Sequence, residues 1–149
     1  MPHNVEIPDY VIERIMAKRG RLHVFDKFDP KKTALVVIDM QNFFVAEVET
    51  ARSICPNINK LAAHLRDTGG TVAWVLMSLA DELGGPSKWP IYHDYFFTPE
   101  KMEAHKDNLT EGAEGQKLYP DLSPEDGDII TNKMRFSAFI QGSSDLDEQ

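Results

Sequence analysis

The sequence predicts an α/β fold with a parallel sheet, because a buried strand, an amphipathic helix and a second buried strand follow one another. The first strand is residues 33–38 (TALVVI), which carry no charge and are mostly β-branched. The helix is residues 56–68, where apolar side chains recur from Ile58 at i, i+3, i+4 and i+7, and Gly69 ends it. The second strand is residues 71–77. A βαβ unit of this kind is right-handed by strong preference.

Further elements are predicted on both sides of this unit. Residues 7–20 form a leading helix, with a proline in the first turn and a glycine at its end. Residues 45–54 are loop or irregular helix, and a short helix runs over residues 98–105. A third strand is predicted over residues 128–132, and residues 142–149 are typical of a helix start.

The segment 78–97 is long for a connection in a compact domain and is rich in glycine, proline and aromatic residues. Two interpretations stay open. The aromatic side chains line a substrate pocket, or they only anchor the segment to the protein surface.

Composition excludes several classes of protein. The chain has 149 residues, enough for one domain with a core, and a net charge of −8 from 24 acidic and 16 basic residues. Such an acidic chain has no phosphate-neutralising surface, so we expect neither nucleic-acid nor membrane binding. Its longest uncharged apolar run, residues 71–80, is too short to span a bilayer. Cys55 is the one cysteine, which fits a reducing cytoplasm, and we expect a cytoplasmic protein.

Asp39 and Lys133 each follow a predicted strand. Because parallel strands have their carboxyl ends at one edge of the sheet, these side chains can meet there. A lysine beside a carboxylate keeps it ionised and ready to take a proton, as a general base requires. Two other interpretations stay open: a structural salt bridge at the sheet edge, or Asp39 as a turn or capping residue.

Two segments together carry a resemblance to a known family: residues 33–43 (TALVVIDMQNF) and residues 127–139 (GDIITNKMRFSAF), supported by Glu114-Gly115. The chain resembles the isochorismatase-like cysteine hydrolases, which include nicotinamidases, N-carbamoylsarcosine amidohydrolases and ureidoacrylate amidohydrolases. The resemblance covers residues 31–149, interpreted as the hydrolase domain with its C-terminal part missing. Residues 1–30 are interpreted as an N-terminal helical extension.

The resemblance implies a three-layer α-β-α fold with a doubly wound, Rossmann-like parallel sheet of order 3-2-1-4-5-6, of which this chain carries only the first three strands. It implies hydrolysis of a small amide or ureide substrate, and we expect a homo-oligomer. By position, Asp39 matches the family's general base and Lys133 its lysine. Gln41, Phe44 and Phe136 match positions near the pocket mouth, where they would bind substrate.

The family's third catalytic residue is a cysteine after the fourth strand, whose thiolate attacks the carbonyl and forms a thioester. The chain ends before that strand, so we expect a fragment or shortened product of a longer hydrolase, or a sheet completed by another copy. Cys55 is no positional replacement. Because it precedes Pro56 at the predicted start of a helix, its thiol is either activated by the helix N-terminus or inert and structural.

Neither a metal nor another cofactor is expected. Nicotinamidases of this family carry an Asp-x-His set after the second strand, whereas residues 77–81 read MSLAD here. His93 and His105 are isolated in sequence and are predicted to lie on the surface. Two functions remain: a hydrolase of small C–N bonds, or a non-catalytic truncated relative that binds a small ligand or a partner chain.

Overall fold

The computed structural model describes residues 6–149, so residues 1–5 of the predicted N-terminal extension lie outside the described residues. Three strands, five α-helices and one 3-10 turn follow one another in these residues. They are α1 (Asp9–Arg19), the 3-10 turn (Pro30–Lys32), β1 (Ala34–Ile38), α2 (Asn42–Val45), α3 (Glu49–Thr68), β2 (Thr71–Met77), α4 (Pro90–Tyr95), α5 (Pro99–Leu109) and β3 (Ile129–Lys133).

The strands form one parallel sheet in the order β1-β2-β3, which confirms the predicted α/β fold and the βαβ unit. Val36 pairs with Ala73, and Trp74 pairs with Ile130. Strand β2 is central, and its residues 72–77 are all buried because it has a strand on either side. This register places the carboxyl ends of all three strands at one edge.

The prediction that β1 is buried on both faces is wrong. Leu35 and Val37 pack into the core beside α3. Ile38 lies on the opposite face of the strand and is 51% exposed. Within residues 6–149, β1 pairs with β2 alone and is an edge strand. Its apolar composition therefore exceeds what its burial in the described structure requires.

Helix α3 supplies the main core against the sheet. It begins at Glu49, so the prediction of loop or irregular helix over residues 45–54 is wrong from residue 49 onwards, and Pro56 lies inside the helix. The reason is the apolar stripe, which starts upstream of the proline and continues beyond it. Its members are Ala51, Cys55, Ile58, Ala62 and Leu65, and all pack into the core cluster with Val37, Val72, Trp74 and Leu76. Burial of this stripe outweighs the missing proline amide.

The remaining predictions have mixed outcomes. Helix α1 matches the predicted leading helix and ends at Gly20, whose φ of 70° is left-handed and whose amide donates to Met16. Helix α5 runs beyond the predicted end at residue 105, as far as Leu109. Residues 142–149 form turns in place of the predicted helix start. No helix within residues 6–149 has the length and apolar character needed to cross a membrane.

Candidate active site

Asp39 directly follows β1 and has a left-handed backbone, with φ at 58°. Aspartate is among the few non-glycine residues that tolerate this conformation. The Asp39 amide donates to the Val75 carbonyl at 2.9 Å, which continues the sheet by one bond. The chain then turns away, so that the carboxylate stays at the carboxyl edge of the sheet.

Lys133 is the last residue of β3, not the first residue beyond it as predicted. Its side chain is 2% exposed, and Nζ lies 3.1 Å from Asp39 Oδ1. Nζ also donates to the Arg135 carbonyl at 3.2 Å and lies 3.8 Å from Met77 Sδ. The structure therefore brings the predicted pair together across the central strand.

The Asp39 carboxylate has one occupied side and one accessible side. Oδ1 is buried, and in residues 6–149 its close polar partner is the Lys133 ammonium, in an ion pair without hydrogen-bond geometry. The side chain as a whole is 37% exposed. Such a carboxylate is held by a cation and still reachable from outside, which is the arrangement a proton acceptor needs.

Aromatic residues of the 78–97 segment meet the chain beyond β3. We name five of them the aromatic wall: Trp89, Tyr92, Phe96, Phe97 and Phe136. Tyr92 is central, with ring centroids 4.7 Å from Trp89, 5.2 Å from Phe96, and 5.7 Å from both Phe97 and Phe136. Tyr92 is buried while Phe96 and Phe136 are exposed, so the wall has an anchored centre and an open surface.

The aromatic wall lies within electrostatic range of Asp39. Burial raises the pKa of the Tyr92 hydroxyl, and the negative charge of Asp39 raises it further. The Tyr92 hydroxyl also lies 3.4 Å from His105 Nδ1. Phe136 of the aromatic wall also follows Lys133 by three positions, so the acid–lysine pair and the aromatic wall are neighbours at the sheet edge.

Gln41 and Phe44 differ in their surroundings. The structure does not bring Gln41 to the pocket surface: its side chain is fully buried, and its carboxamide is used by backbone groups of Met77 and Gln116. Phe44 is partly buried and packs edge-on against Phe43, with ring centroids 5.2 Å apart. Phe44 also packs against the core cluster that contains Met77 and Tyr92, so it lies beside the aromatic wall, whereas Gln41 supports the backbone beneath it.

His93 and His105 are partly buried, so the prediction that they lie on the surface holds only in part. His105 is partly buried, with ring centroids 4.9 Å from Phe43 and 5.0 Å from Phe97. Burial lowers the pKa of His105, and the charge of Lys101 lowers it further. His93 pairs with Asp94 at 2.8 Å. Residues 6–149 contain no group of three or more His, Cys, Asp or Glu side chains placed to hold a metal ion.

Cys55 does not join the pair. Because α3 begins before it, the thiol lies inside the helix and away from the N-terminus that was expected to activate it. It is fully buried in the core, and Sγ lies 3.6 Å from the Ala51 carbonyl oxygen. Burial raises its pKa, and the charge of Asp121 raises it further. These surroundings are those of an inert core cysteine.

Sequence reasoning missed two cations beside the site, Lys88 and Arg135. The Lys88 ammonium lies 2.5 Å from Asp81 and also binds Glu111. The Arg135 guanidinium donates to the Lys88 carbonyl at 2.9 Å, and its carbon lies 5.3 Å from the centre of the Trp89 ring. The one available signal was the position of Arg135, two residues after Lys133 in a segment already singled out.

Comparison with known proteins identifies the family and the fold. Residues 33–149 match the family model for the Isochorismatase domain. Ureidoacrylate amidohydrolase RutB from Klebsiella pneumoniae is 30% identical over an alignment of 129 residues, which covers 76% of this chain and 54% of that protein. The chain therefore spans about half the length of the curated relatives it matches.

Two solved structures share the fold. A cysteine hydrolase from Pseudomonas syringae pv. phaseolicola superposes with a TM-score of 0.66 at 22% identity, over 86% of this chain and 57% of that one. N-carbamoylsarcosine amidase from Thermoplasma acidophilum has a TM-score of 0.53 at 24% identity, over 77% of this chain and 58% of that one. Because the family model covers more than half of the chain and begins just before β1, the chain belongs to the isochorismatase family.

Proposed function

We propose that this chain carries the acid–lysine part of a hydrolase site that cleaves a small amide or ureide C–N bond. The observation that carries the proposal is the Lys133 ammonium, 3.1 Å from Asp39 at the carboxyl edge of the sheet. The names of two similar proteins, a ureidoacrylate amidohydrolase and an N-carbamoylsarcosine amidase, support this substrate class.

In this proposal Asp39 is the general base. Its carboxylate takes the proton of the attacking group, the tetrahedral intermediate collapses, and the same proton passes to the leaving nitrogen as the C–N bond breaks. Lys133 holds the carboxylate in place at the sheet edge through their ion pair. The attacking group is a thiol in an Asp-Lys-Cys site, with a thioester that water then hydrolyses, or water itself. Cys55 is not that thiol, because it is buried inside α3.

The other predicted site residues have distinct proposed roles. Phe44 and Phe136 contact the substrate at the pocket mouth, and the aromatic wall limits its size. Gln41 acts through the backbone it holds and is therefore a positioning residue.

Residues 31–149 form the hydrolase domain and residues 1–30 a helical extension, a division supported by the family match from residue 33 and by the lack of buried side chains in α1.

A homo-oligomer is also proposed. Its support is the exposed apolar side of the sheet at β1, where Ile38 is 51% exposed. Sedimentation velocity over a range of concentrations tests it. A single species at the monomer mass, with a cooperative thermal transition, contradicts it.

The function is tested by ammonia release from simple amides and ureides, including N-carbamoyl amino acids and nicotinamide. We expect hydrolysis by the wild-type chain that is lost in Asp39→Asn and kept in Cys55→Ala. Activity in Cys55→Ala identifies water as the attacking group, because that variant of residues 1–149 has no thiol. A folded wild-type chain that binds ligands but hydrolyses none of them overturns the proposal in favour of a binding module.

A further inference from the structure

Helix α1 has no packing surface of its own in the described part of the chain. None of its 11 residues is buried, and within residues 6–149 none of its side chains forms an ion pair. Arg19 donates to the Leu22 carbonyl at 3.2 Å, which is a contact inside the same segment. An isolated helix of this length is only marginally stable in water, because few backbone hydrogen bonds offset the cost of its nucleation. A stable α1 therefore needs a surface on which to pack.

One face of α1 is apolar at its start and basic at its end. Val11 and Ile15 are four positions apart and lie on the same side of the helix, and Lys18 and Arg19 follow them on that side. Residues 14–21 carry four basic side chains and no acidic one. By contrast, residues 33–149 hold nineteen acidic against nine basic residues, a net charge of −10. The charge at the end of this face is therefore opposite to that of the body that follows it.

An apolar groove lies between α3 and the segment that precedes β1. It has a volume of about 570 Å³, and we name it the α3 groove. Its apolar lining comes from three parts of the chain: Phe28, Pro30, Leu35, Leu61 and Leu65. Phe28 is 75% and Leu61 is 54% exposed, so both lack full cover within residues 6–149. Asp26 and Lys27 also line the groove and have opposite charges, so it favours an apolar side chain over a charged one.

An acidic loop packs beside the same helix. We give this name to residues 121–128, which carry four acidic residues and no basic one. Arg66 of α3 pairs with two of these carboxylates, those of Glu125 and Asp128. The other two acidic residues, Asp121 and Asp126, are exposed and form no ion pair within residues 6–149. The loop therefore presents two carboxylates that a basic surface can bind.

The α3 groove and the acidic loop are separated by the width of α3. Asn59, which donates to the Asp121 carbonyl at 2.7 Å, is two positions from Leu61, and two positions correspond to about 200° around a helix. A helix is about 10 Å wide, and the 11 residues of α1 span about 16 Å. Helix α1 is thus long enough to lie across α3, with its apolar half in the groove and its basic half over the acidic loop.

We propose that α1 of one copy of this chain packs across α3 of a second copy, with its apolar half in the α3 groove and its basic half beside the acidic loop. The partner is a second copy because α1 and its receiving surface are both open in the same chain, so two copies cover each other's surfaces through one two-fold exchange. The opposite charges of the two surfaces favour the same partner.

This exchange gives the proposed homo-oligomer an interface other than the edge of β1. The α3 groove is lined by Thr33 and Ala34 at the start of β1, whereas Asp39 follows the end of that strand. The interface is therefore remote from the acid–lysine pair, and it does not depend on the proposed hydrolase activity.

The test is sedimentation velocity of the full chain with exchanged charges. One variant carries Lys18→Glu and Arg19→Glu, and the other carries Asp121→Lys and Asp126→Lys. We expect a dimer of the wild type and, for each variant alone, self-association at least about 10-fold weaker, because like charges then face each other in both halves of the exchange. An equimolar mixture of the two variants is expected to recover the dimer, since every α1 then meets a loop of opposite charge.

Substitutions at apolar positions test the groove. Ile15→Asp and Leu61→Asp are each expected to weaken the dimer at least about 10-fold, because each places a carboxylate in an apolar contact. Met16→Asp is the matched control: it makes the same change of charge at an exposed position on another face of α1, and is expected to leave the dimer intact. Thermal unfolding followed by circular dichroism checks that each variant is folded.

Three results overturn the inference. A wild-type dimer that survives both charge variants, or a mixture that associates no more tightly than its components, excludes the exchange and leaves the edge of β1 as the interface. A wild-type monomer, with α1 folded back on its own chain, excludes both interfaces. Ammonia release is a separate readout: its absence in a chain that forms the mixed dimer overturns the proposed function and leaves the exchange standing.

Discussion

Two hydrogen bonds join the Gln41 carboxamide to the backbone of Met77, which lies beyond the part of β2 that pairs with β1. Gln41 Nε2 donates to the Met77 carbonyl at 3.0 Å, and the Met77 amide donates to Gln41 Oε1 at 2.7 Å. Nε2 also donates to the Gln116 carbonyl at 2.8 Å. This buried side chain therefore fixes the end of β2, and the turn that carries Asp39, against the segment around residue 116.

Replacing Gln41 with alanine is expected to destabilise the fold by about 3 kcal/mol, because it leaves buried backbone groups of Met77 and Gln116 without partners. Urea unfolding followed by circular dichroism measures the loss. The exposed Gln141 is the matched control, and Gln141→Ala is expected to change stability by less than about 0.5 kcal/mol. Equal stability of the two variants would contradict the role given to Gln41.

Substitutions of Lys133 and of Asp39 are expected to differ in their effect on stability and to reduce activity to a similar extent. Lys133→Met leaves the Asp39 carboxylate without its cation, but that side chain is 37% exposed and stays partly solvated, so we expect a cost of only about 1 kcal/mol. Asp39→Ala leaves the ammonium buried without its anion and puts a poorly suited residue at a φ of 58°, with an expected cost of about 2 kcal/mol. Both variants are expected to lose at least about 100-fold in ammonia release.

Asp39→Asn is the informative control for that comparison. Asparagine tolerates the left-handed backbone and keeps an oxygen beside the ammonium, so stability should fall by only about 1 kcal/mol while activity is lost. An active Asp39→Asn chain would exclude Asp39 as the base.

Cys55 is expected to be unreactive in the folded protein. It is fully buried, and burial raises its pKa, so the reactive thiolate is scarce as well as covered. Reaction with a chromogenic disulfide reagent should be slow in buffer and rapid in urea. Cys55→Ala is expected to cost about 1 kcal/mol of stability through the cavity it leaves, with no effect on the pocket. Fast modification of the native chain would disagree with the structure.

Asp128 is expected to make the fold sensitive to acid. Burial by itself raises the pKa of this carboxyl, but hydrogen bonds from Arg66, Trp74 and the Glu125 amide outweigh burial and lower the pKa from 3.8 to about 2. Because the folded pKa lies below the unfolded one, the stabilisation is fully present above about pH 4 and is lost as the pH falls towards 2. The expected size is about 2 kcal/mol.

Urea unfolding of the wild type and Asp128→Asn between about pH 5 and about pH 2.5 measures this contribution. The wild type should lose stability across that range more steeply than the variant, which has no carboxyl at this position. Parallel curves for the two proteins would show that the contacts of Asp128 do not carry the effect.

The sequence by itself determined the βαβ unit and the two residues of the acid–lysine pair, Asp39 and Lys133. The uncharged β-branched run before Asp39, the stripe from Ile58 and the strand over residues 71–77 each follow from local periodicity, which survives in the fold. The pairing of Asp39 with Lys133 followed because parallel strands end at a common edge. Local boundaries were less predictable, since Pro56 indicated a helix start that core burial of the stripe overrode.

Only the tertiary structure decided which side chains serve the site and which support it. Gln41 has a polar side chain of the kind that binds ligands. It is buried instead, because it donates a hydrogen bond to the carbonyl of Gln116, 75 positions away in the chain. The position of the Arg135 guanidinium depends on its hydrogen bond to the Lys88 carbonyl, 47 positions away in the chain. Such roles come from long-range packing, in which burial and the competition among charges assign each polar group its partner, and no local pattern encodes that assignment.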